Sequence, residues 1–337
     1  MPVIFTKDHL RTSVEAATGG KVTVLYDDKG YPSYMVVVPK FNIEDIMGAS
    51  TWGTGVHPAF KVGGVEKSQI FIGQYQATVL DDRACSLPGK NPHAPDTYDN
   101  ASYFCTTKGI GWHLMTNWEW AAVALWCLKN GFQPRGNTDH GRAIDATNEV
   151  GVRGDGGAPG SMSGTGRTQT GSGARSWRHD NTFAGIADLV GNIWEWVGGL
   201  KIVDGAIFMP TDNNYSLAEG SWPNTGVKID STAASGGNPK ISDTIVNVDT
   251  AMYIGSWKSV TNKVGYTPPN SMYQAAIAPH DAANPKGKMS VNGGGERMLI
   301  RGGAWDNGVD AGVFASGLIL ARSNSVATIA FRPVFIE

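Results

Sequence analysis

The chain has 337 residues, 41% hydrophobic and 17% charged, with 28 Lys and Arg against 30 Asp and Glu, a composition of globular rather than disordered proteins. A formal net charge of -2 with no basic stripe argues against a nucleic-acid partner, since nothing would neutralise phosphates. No apolar run approaches the roughly 18–20 residues that cross a bilayer, and the start MPVIFTKDHLRTSVEAATGG turns polar early, without a signal-peptide core; the expectation is synthesis in a cytoplasm with no membrane insertion.

Residues 1–48 read as a small N-terminal α/β segment. A short helix is predicted over 7–17, stopped by Gly19 and Gly20, then a strand over 22–26, a turn at 27–30 and a strand over 34–38 that Pro39 ends. Residues 49–337 read as one domain with long insertions at about 151–175 and 200–296. Its clearest helix is predicted over 117–129: Thr116 and Glu119 stand in the capping-box relation, Ala121, Ala122, Leu125 and Trp126 give apolar spacing, and Gly131 is placed to end the helix. Between 151 and 175, nine of 25 residues are glycine and neither helical nor strand period appears, so a surface loop is expected. Residues 200–296 read as loops and short hairpins draped over the domain. A strand over 298–301, a Gly302-Gly303 turn and one buried strand over 329–336 close the chain.

The composition has two unusual counts, 44 Gly and 11 Trp. Many glycines imply many turns, and tryptophans supply large apolar area to hold irregular backbone onto a core. Cys85, Cys105 and Cys127 are odd in number and widely spaced, which reads as reduced structural thiols.

Reaction chemistry is hard to find. His9, His57, His93, His113, His140, His179 and His280 are scattered without HExxH or an i,i+4 pair, so each reads as a surface or hydrogen-bonded structural histidine. There is no GxSxG elbow, no nucleophile signature around the cysteines and no phosphate loop in the glycine-rich stretch. The acid pairs Asp27-Asp28 and Asp81-Asp82 read as solvated turns. No catalytic residues and no cofactor are assigned; the metal content is left unknown, with structural calcium in an oxygen-rich loop left open.

Three segments carry a resemblance. Residues 111–122, GWHLMTNWEWAA, resemble the helix start of the formylglycine-generating-enzyme (sulfatase-modifying factor) family; residues 188–196, DLVGNIWEW, resemble its GNVWEW motif; residues 299–305, LIRGGAW, resemble its RGGSW motif, with Ala330-Phe331-Arg332 at its closing GFR. The resemblance implies an α+β fold, the C-type lectin fold of the formylglycine-generating-enzyme type, loop-rich, with two main helices and small antiparallel sheets. Trp194, Trp196 and Trp305 then read as scaffold. Catalytic members carry a copper-binding cysteine pair near the last motif, and related sulfoxide synthases an iron-binding histidine set. This chain has no Cys after Cys127 and no His after His280, so the catalytic residues do not carry over.

Residues 301–314 and 321–325 are similar to the variable region of diversity-generating retroelement proteins, in which adenines of Asn codons AAC and AAT are randomised. Randomising the first two bases yields no Lys, Glu, Gln, Met or Trp. Residues 301–335 contain no Lys, Glu, Gln or Met, and their single tryptophan, Trp305, falls on an invariant position of the pattern. The positions that match the diversified sites, and are therefore candidate ligand-binding residues, are Ala304, Asp306, Val309, Asp310, Ser316, Gly317, Ile319, Leu320, Val326, Ala327 and Thr328.

The expected function is that of a non-catalytic ligand- or receptor-binding protein, a phage or prophage tropism determinant associated with the virion. Its expected partner is a protein on a cell surface rather than a carbohydrate. The competing reading is a formylglycine-generating or sulfoxide-synthase-like enzyme with an atypical site. Ligand identity, oligomeric state and the role of residues 1–48 are not written in the sequence.

Overall fold

The structure, a computed structural model, describes residues 8–48, 52–279 and 284–337. Lys7 and His280 lie outside these residues, as do 49–51 beside the expected boundary.

The first helix, His9–Thr18, begins where the Asp8 carboxylate accepts the Arg11 N–H and ends at Gly19, whose φ of 61° is left-handed. Strands Val22–Tyr26 and Pro32–Pro39 form the expected hairpin. They edge a five-stranded sheet that continues through Gln69–Gly73, Pro333–Phe335 and Trp112–Leu114. The last strand of the chain therefore lies between two much earlier ones, antiparallel to both.

The hairpin turn departs from expectation at one residue. Asp27 is buried, with Lys108 Nζ at 3.2 Å and Arg83 at 3.7 Å, because the carboxylate also ties the turn by accepting the Lys29 and Tyr31 N–H groups. Burial alone would raise its pKa; those bonds and the Lys108 charge hold it below the usual carboxylate range. Asp81 and Asp82 do form an exposed turn, both at positive φ.

Asn117–Lys129 is a helix with its Thr116–Glu119 capping box formed. It is buried on nearly every side as far as Leu125, so it runs through the core rather than along the surface. Trp118 donates its indole N–H to the Pro210 carbonyl and Trp120 to that of Val313. A second helix, Tyr98–Thr106, buries Tyr98, Ala101 and Cys105.

The stretch 200–296 does more than drape. It contributes strands to a ten-stranded sheet, nine of whose strands run in the order Met252–Ile254, Met289–Val291, Gly312–Leu320, Glu296–Gly302, Trp194–Val203, Ala206–Phe208, Asn224–Ser231, Pro239–Ser242, Thr261–Asn262, the tenth being Ile329–Ala330 beside Trp194–Val203. The sheet curls until the Tyr253 N–H at one edge reaches the Gly237 carbonyl beside the other. Inside the curl Ile202, Ile229, Ile241, Met289, Val291, Leu299 and Leu318 are buried together. Across the central strands, Trp194, Trp196, Met298, Ile300 and Ala315 form a second core with Tyr98, Ala101 and Cys105 of the Tyr98–Thr106 helix. The architecture is α+β and loop-rich.

The terminal strand expected over 329–336 divides. Ile329–Ala330 pairs parallel to Trp194–Val203, and Pro333–Phe335 joins the other sheet. The break falls at Arg332, whose buried guanidinium grips Glu195 through two bonds of 2.7 and 3.0 Å and donates to the Gly73 and Ala187 carbonyls. A charge that must be satisfied on all sides turns the chain from one sheet to the next.

The three cysteines are free and buried, and burial raises the thiol pKa of each. In the glycine-rich stretch, the buried Arg153 guanidinium pairs with Asp155 and donates to carbonyls of Ala158 and Ser161. A region without regular structure is thereby organised around one side chain. No helix of the described residues is long and apolar enough to cross a membrane.

Candidate functional site

The candidate residues occupy two turns and the end of one strand. Arg301 fixes the base. Fully buried, it donates to Asn117 Oδ1 at 2.6 Å and to the Ala276 carbonyl at 3.1 Å, and also to Ser316 Oγ. Desolvation pushes its pKa down to about 9. After Gly302 and Gly303, both at positive φ, the chain makes a tight turn. A Cβ at Gly303 would stand 2.6 Å from that of Ala311, so only glycine permits the approach. Trp305, Phe314 and Phe331 are buried, as a scaffold role requires.

The eleven candidate residues divide by exposure. Asp306, Val309, Ile319 and Ala327 are exposed, and Asp310, Leu320, Val326 and Thr328 are half-buried. Ala304, Ser316 and Gly317 are buried and do not offer a ligand a side chain. Ala304 packs in the second core among Trp194, Ile300 and Phe331. Ser316 is occupied by Arg301. Gly317 faces Ile300, and a Cβ there would come within 2.7 Å of Ile300 Cγ1.

Sheet geometry says which residues share a side. Tyr253 opposes Ser290, which opposes Gly317, and directly paired residues point the same way; Ile319 follows where the pairing with Glu296–Gly302 shifts by one residue, and it is exposed. The Tyr253 hydroxyl donates to Asp310 Oδ2 at 2.6 Å, bringing the 304–310 turn onto this side. The Lys288 ammonium stands 5.7 Å from the Tyr253 ring centre and 5.8 Å from that of Trp194. The Trp194 N–H in turn donates to the Thr328 carbonyl. Asp310, Tyr253, Lys288 and Trp194 thus form a chain of neighbours, with Thr328 bonded to the Trp194 backbone.

Leu320 and Val326 pack against the second core. Their loop is clamped by Arg322, which bridges Asp99 and Glu219 with bonds of 2.5 to 3.2 Å. Beside Val309 a groove of about 350 Å³ opens, lined in part by Ile144, Val190 and Pro285. Tyr253 and Lys288 escaped the sequence reading because they sit in the 200–296 stretch, where nothing local marks them; strand pairing alone brings them here.

Two buried histidines elsewhere have their partners within the fold. His113 Nε2 lies 2.8 Å from Glu119, stacks on Tyr215 at 3.8 Å, and reaches the Gly111 carbonyl through Nδ1. Glu119 also accepts from Thr116 N and Asn213. His57 is buried, and desolvation drops its pKa to about 4, so its ring is neutral. Among the described residues, no group of three or more His, Cys, Asp or Glu is gathered to hold a metal ion.

No protein-family model matches the chain, and no curated protein does. Solved structures similar to it include PvdO from Pseudomonas aeruginosa, 14% identical over 93% of this chain and 97% of that one, with a TM-score of 0.36. Treponema denticola variable protein 1 is 12% identical over 93% of this chain and 98% of that one, at a TM-score of 0.35. The Major Tropism Determinant P3c variant is 14% identical over 90% of this chain and 63% of that one, at a TM-score of 0.33.

Proposed function

We propose that this protein is a non-catalytic ligand-binding protein, a scaffold of the C-type lectin kind displaying retroelement-diversified residues as a receptor-binding face. In this reading it is a phage or prophage tropism determinant, made in the cytoplasm and carried on the virion. The observation that carries the reading is a coincidence of two independent patterns. The positions that match the family's diversified sites are mostly exposed or half-buried, whereas Trp305, Phe314 and Phe331, on constant positions of the pattern, are buried.

The face is mixed: Ile319 and Leu320 supply apolar area, and Asp306 and Asp310 flank it with charge. An apolar centre with a polar rim suits a protein partner. Sugar sites lean on aromatic and amide side chains that the diversified positions lack. The division of the chain near residue 48 belongs to the same reading, with the hairpin of Val22–Tyr26 and Pro32–Pro39 lengthening the edge of the scaffold's smaller sheet.

The test begins with the DNA flanking the gene. A second copy of codons 301–335, with AAC or AAT at the candidate positions and a reverse-transcriptase gene beside it, is the expected finding; its absence removes the diversification. The full chain is then assayed for binding to surface proteins of host cells alongside Ile319→Asp and Leu320→Asp. Binding unchanged in both variants would place recognition elsewhere.

A further inference from the structure

We infer that Lys288, outside the diversified segment, is a fixed anchor of the recognition face, and that the protein segment it receives carries a single carboxylate among apolar side chains. The inference rests on the proposed face and says what that face selects.

Lys288 is half-buried between two aromatic rings, Trp194 at 5.8 Å and Tyr253 at 5.7 Å. The negative faces of the rings hold the ammonium in place and reduce the entropy it loses on binding. Yet among the described residues no carboxylate forms an ion pair with it. Its backbone is fixed as well: the Lys288 N–H donates to the Asp310 carbonyl and its own carbonyl accepts from Ser316 N. The result is a pre-positioned cation without an ion-pair partner among the described residues, joined through Tyr253 to Asp310, with exposed Ile319 on the neighbouring strand four residues beyond the position level with it.

The surroundings narrow the partner. Asp310 stands on the same side, bonded to Tyr253, so a ligand dense in negative charge, such as a phosphate-rich polysaccharide, meets repulsion close to where Lys288 attracts it. A protein segment can place one carboxylate on Lys288 and lay apolar side chains on Ile319 and Leu320. Diversification around a constant cation would then vary the neighbours of that contact while its charge preference persists.

The experiment is to pan a random dodecapeptide library against the full chain and against Lys288→Met, Lys288→Glu and Ile319→Asp. Methionine keeps the length and apolar stem that lie on the rings, and thermal melts check that all four proteins are folded. The native chain is expected to enrich peptides with one Asp or Glu beside Leu, Ile or Phe. Lys288→Met is expected to bind those peptides roughly tenfold more weakly, as loss of a charge-assisted contact implies, and Lys288→Glu to shift the enrichment to Lys and Arg. No acidic preference on the native chain, or one retained by Lys288→Met, overturns the inference. Peptides lost on Ile319→Asp but kept by Lys288→Met would leave the face intact and remove only the anchor; peptides insensitive to every variant would remove the face itself.

Discussion

Tyr253 and Asp310, 57 residues apart in sequence, are joined by a 2.6 Å hydrogen bond in which the phenol donates to the carboxylate. The bond links an edge strand to a turn of the candidate face, and it has a titration signature. The Asp310 bond first, then partial burial and the Asp310 charge, push the Tyr253 pKa up to about 12 from an ordinary value of 10. The neutral phenol is the form the fold favours, so whatever stability the pair adds is present below pH 10 and lost as the pH rises through 12. Phenolate absorbance of Asp310→Ala should show one more tyrosine ionising near pH 10 than the native chain does; identical titration curves would mean the bond does not form in solution.

Scaffold and face should separate in stability. Trp196 is fully buried and donates its indole N–H to the Asp96 carbonyl at 3.1 Å, so Trp196→Ala should cost about 3–5 kcal/mol. Ile319 is 42% exposed, and Ile319→Ser should change stability by within about 0.5 kcal/mol. Denaturant melts of the two variants decide it, with equal losses meaning that Ile319 is core.

Within the candidate set the same contrast should recur. Ser316→Ala removes a partner of the buried Arg301 guanidinium and should cost about 1–3 kcal/mol. Gly317→Val drives a Cβ toward Ile300 and should cost a similar amount, about 1–3 kcal/mol. Val309, 78% exposed, should accept Ser with a change within about 0.5 kcal/mol. A library randomised at all eleven positions, sorted only for folding, should therefore recover small residues at 304, 316 and 317 and free variation at 306, 309 and 327.

His57 sets an acid limit. Its ring is buried between the Ala59 N–H, which bonds Nδ1 at 3.2 Å, and the Gln274 carbonyl, 3.1 Å from Nε2. Desolvation lowers its pKa from 6.5 to about 4, so between those values the unfolded chain binds a proton that the folded chain refuses. Stability from this site is present above pH 6.5 and lost as the pH falls towards 4, amounting to on the order of 3 kcal/mol. Unfolding of the native chain and of His57→Asn should be compared across pH 7 to 4; a pH slope as steep in the variant as in the native chain would assign the loss to other groups.

Local chemistry settled those elements that need only their own residues. The 117–129 helix was legible because Thr116, Glu119 and an apolar stripe act within one turn of each other, and the first hairpin because strand, turn and strand are adjacent. The scaffold role of Trp305 was legible from motif and codon pattern together, and it is buried.

What the tertiary structure alone decided depends on partners distant in sequence. Asp27 reads as a solvated turn until Lys108, 81 residues on, meets it. Ser316 reads as a variable surface residue until Arg301 claims its hydroxyl, and Gly317 until Ile300 is seen to fill the space its side chain would need. Lys288 and Tyr253 carry no local signal, because which residues meet on one side of a sheet is a property of the whole strand order. Sequence specifies side chains and their near neighbours; which of them are covered is fixed only when strands far apart in the chain pair and desolvate one another.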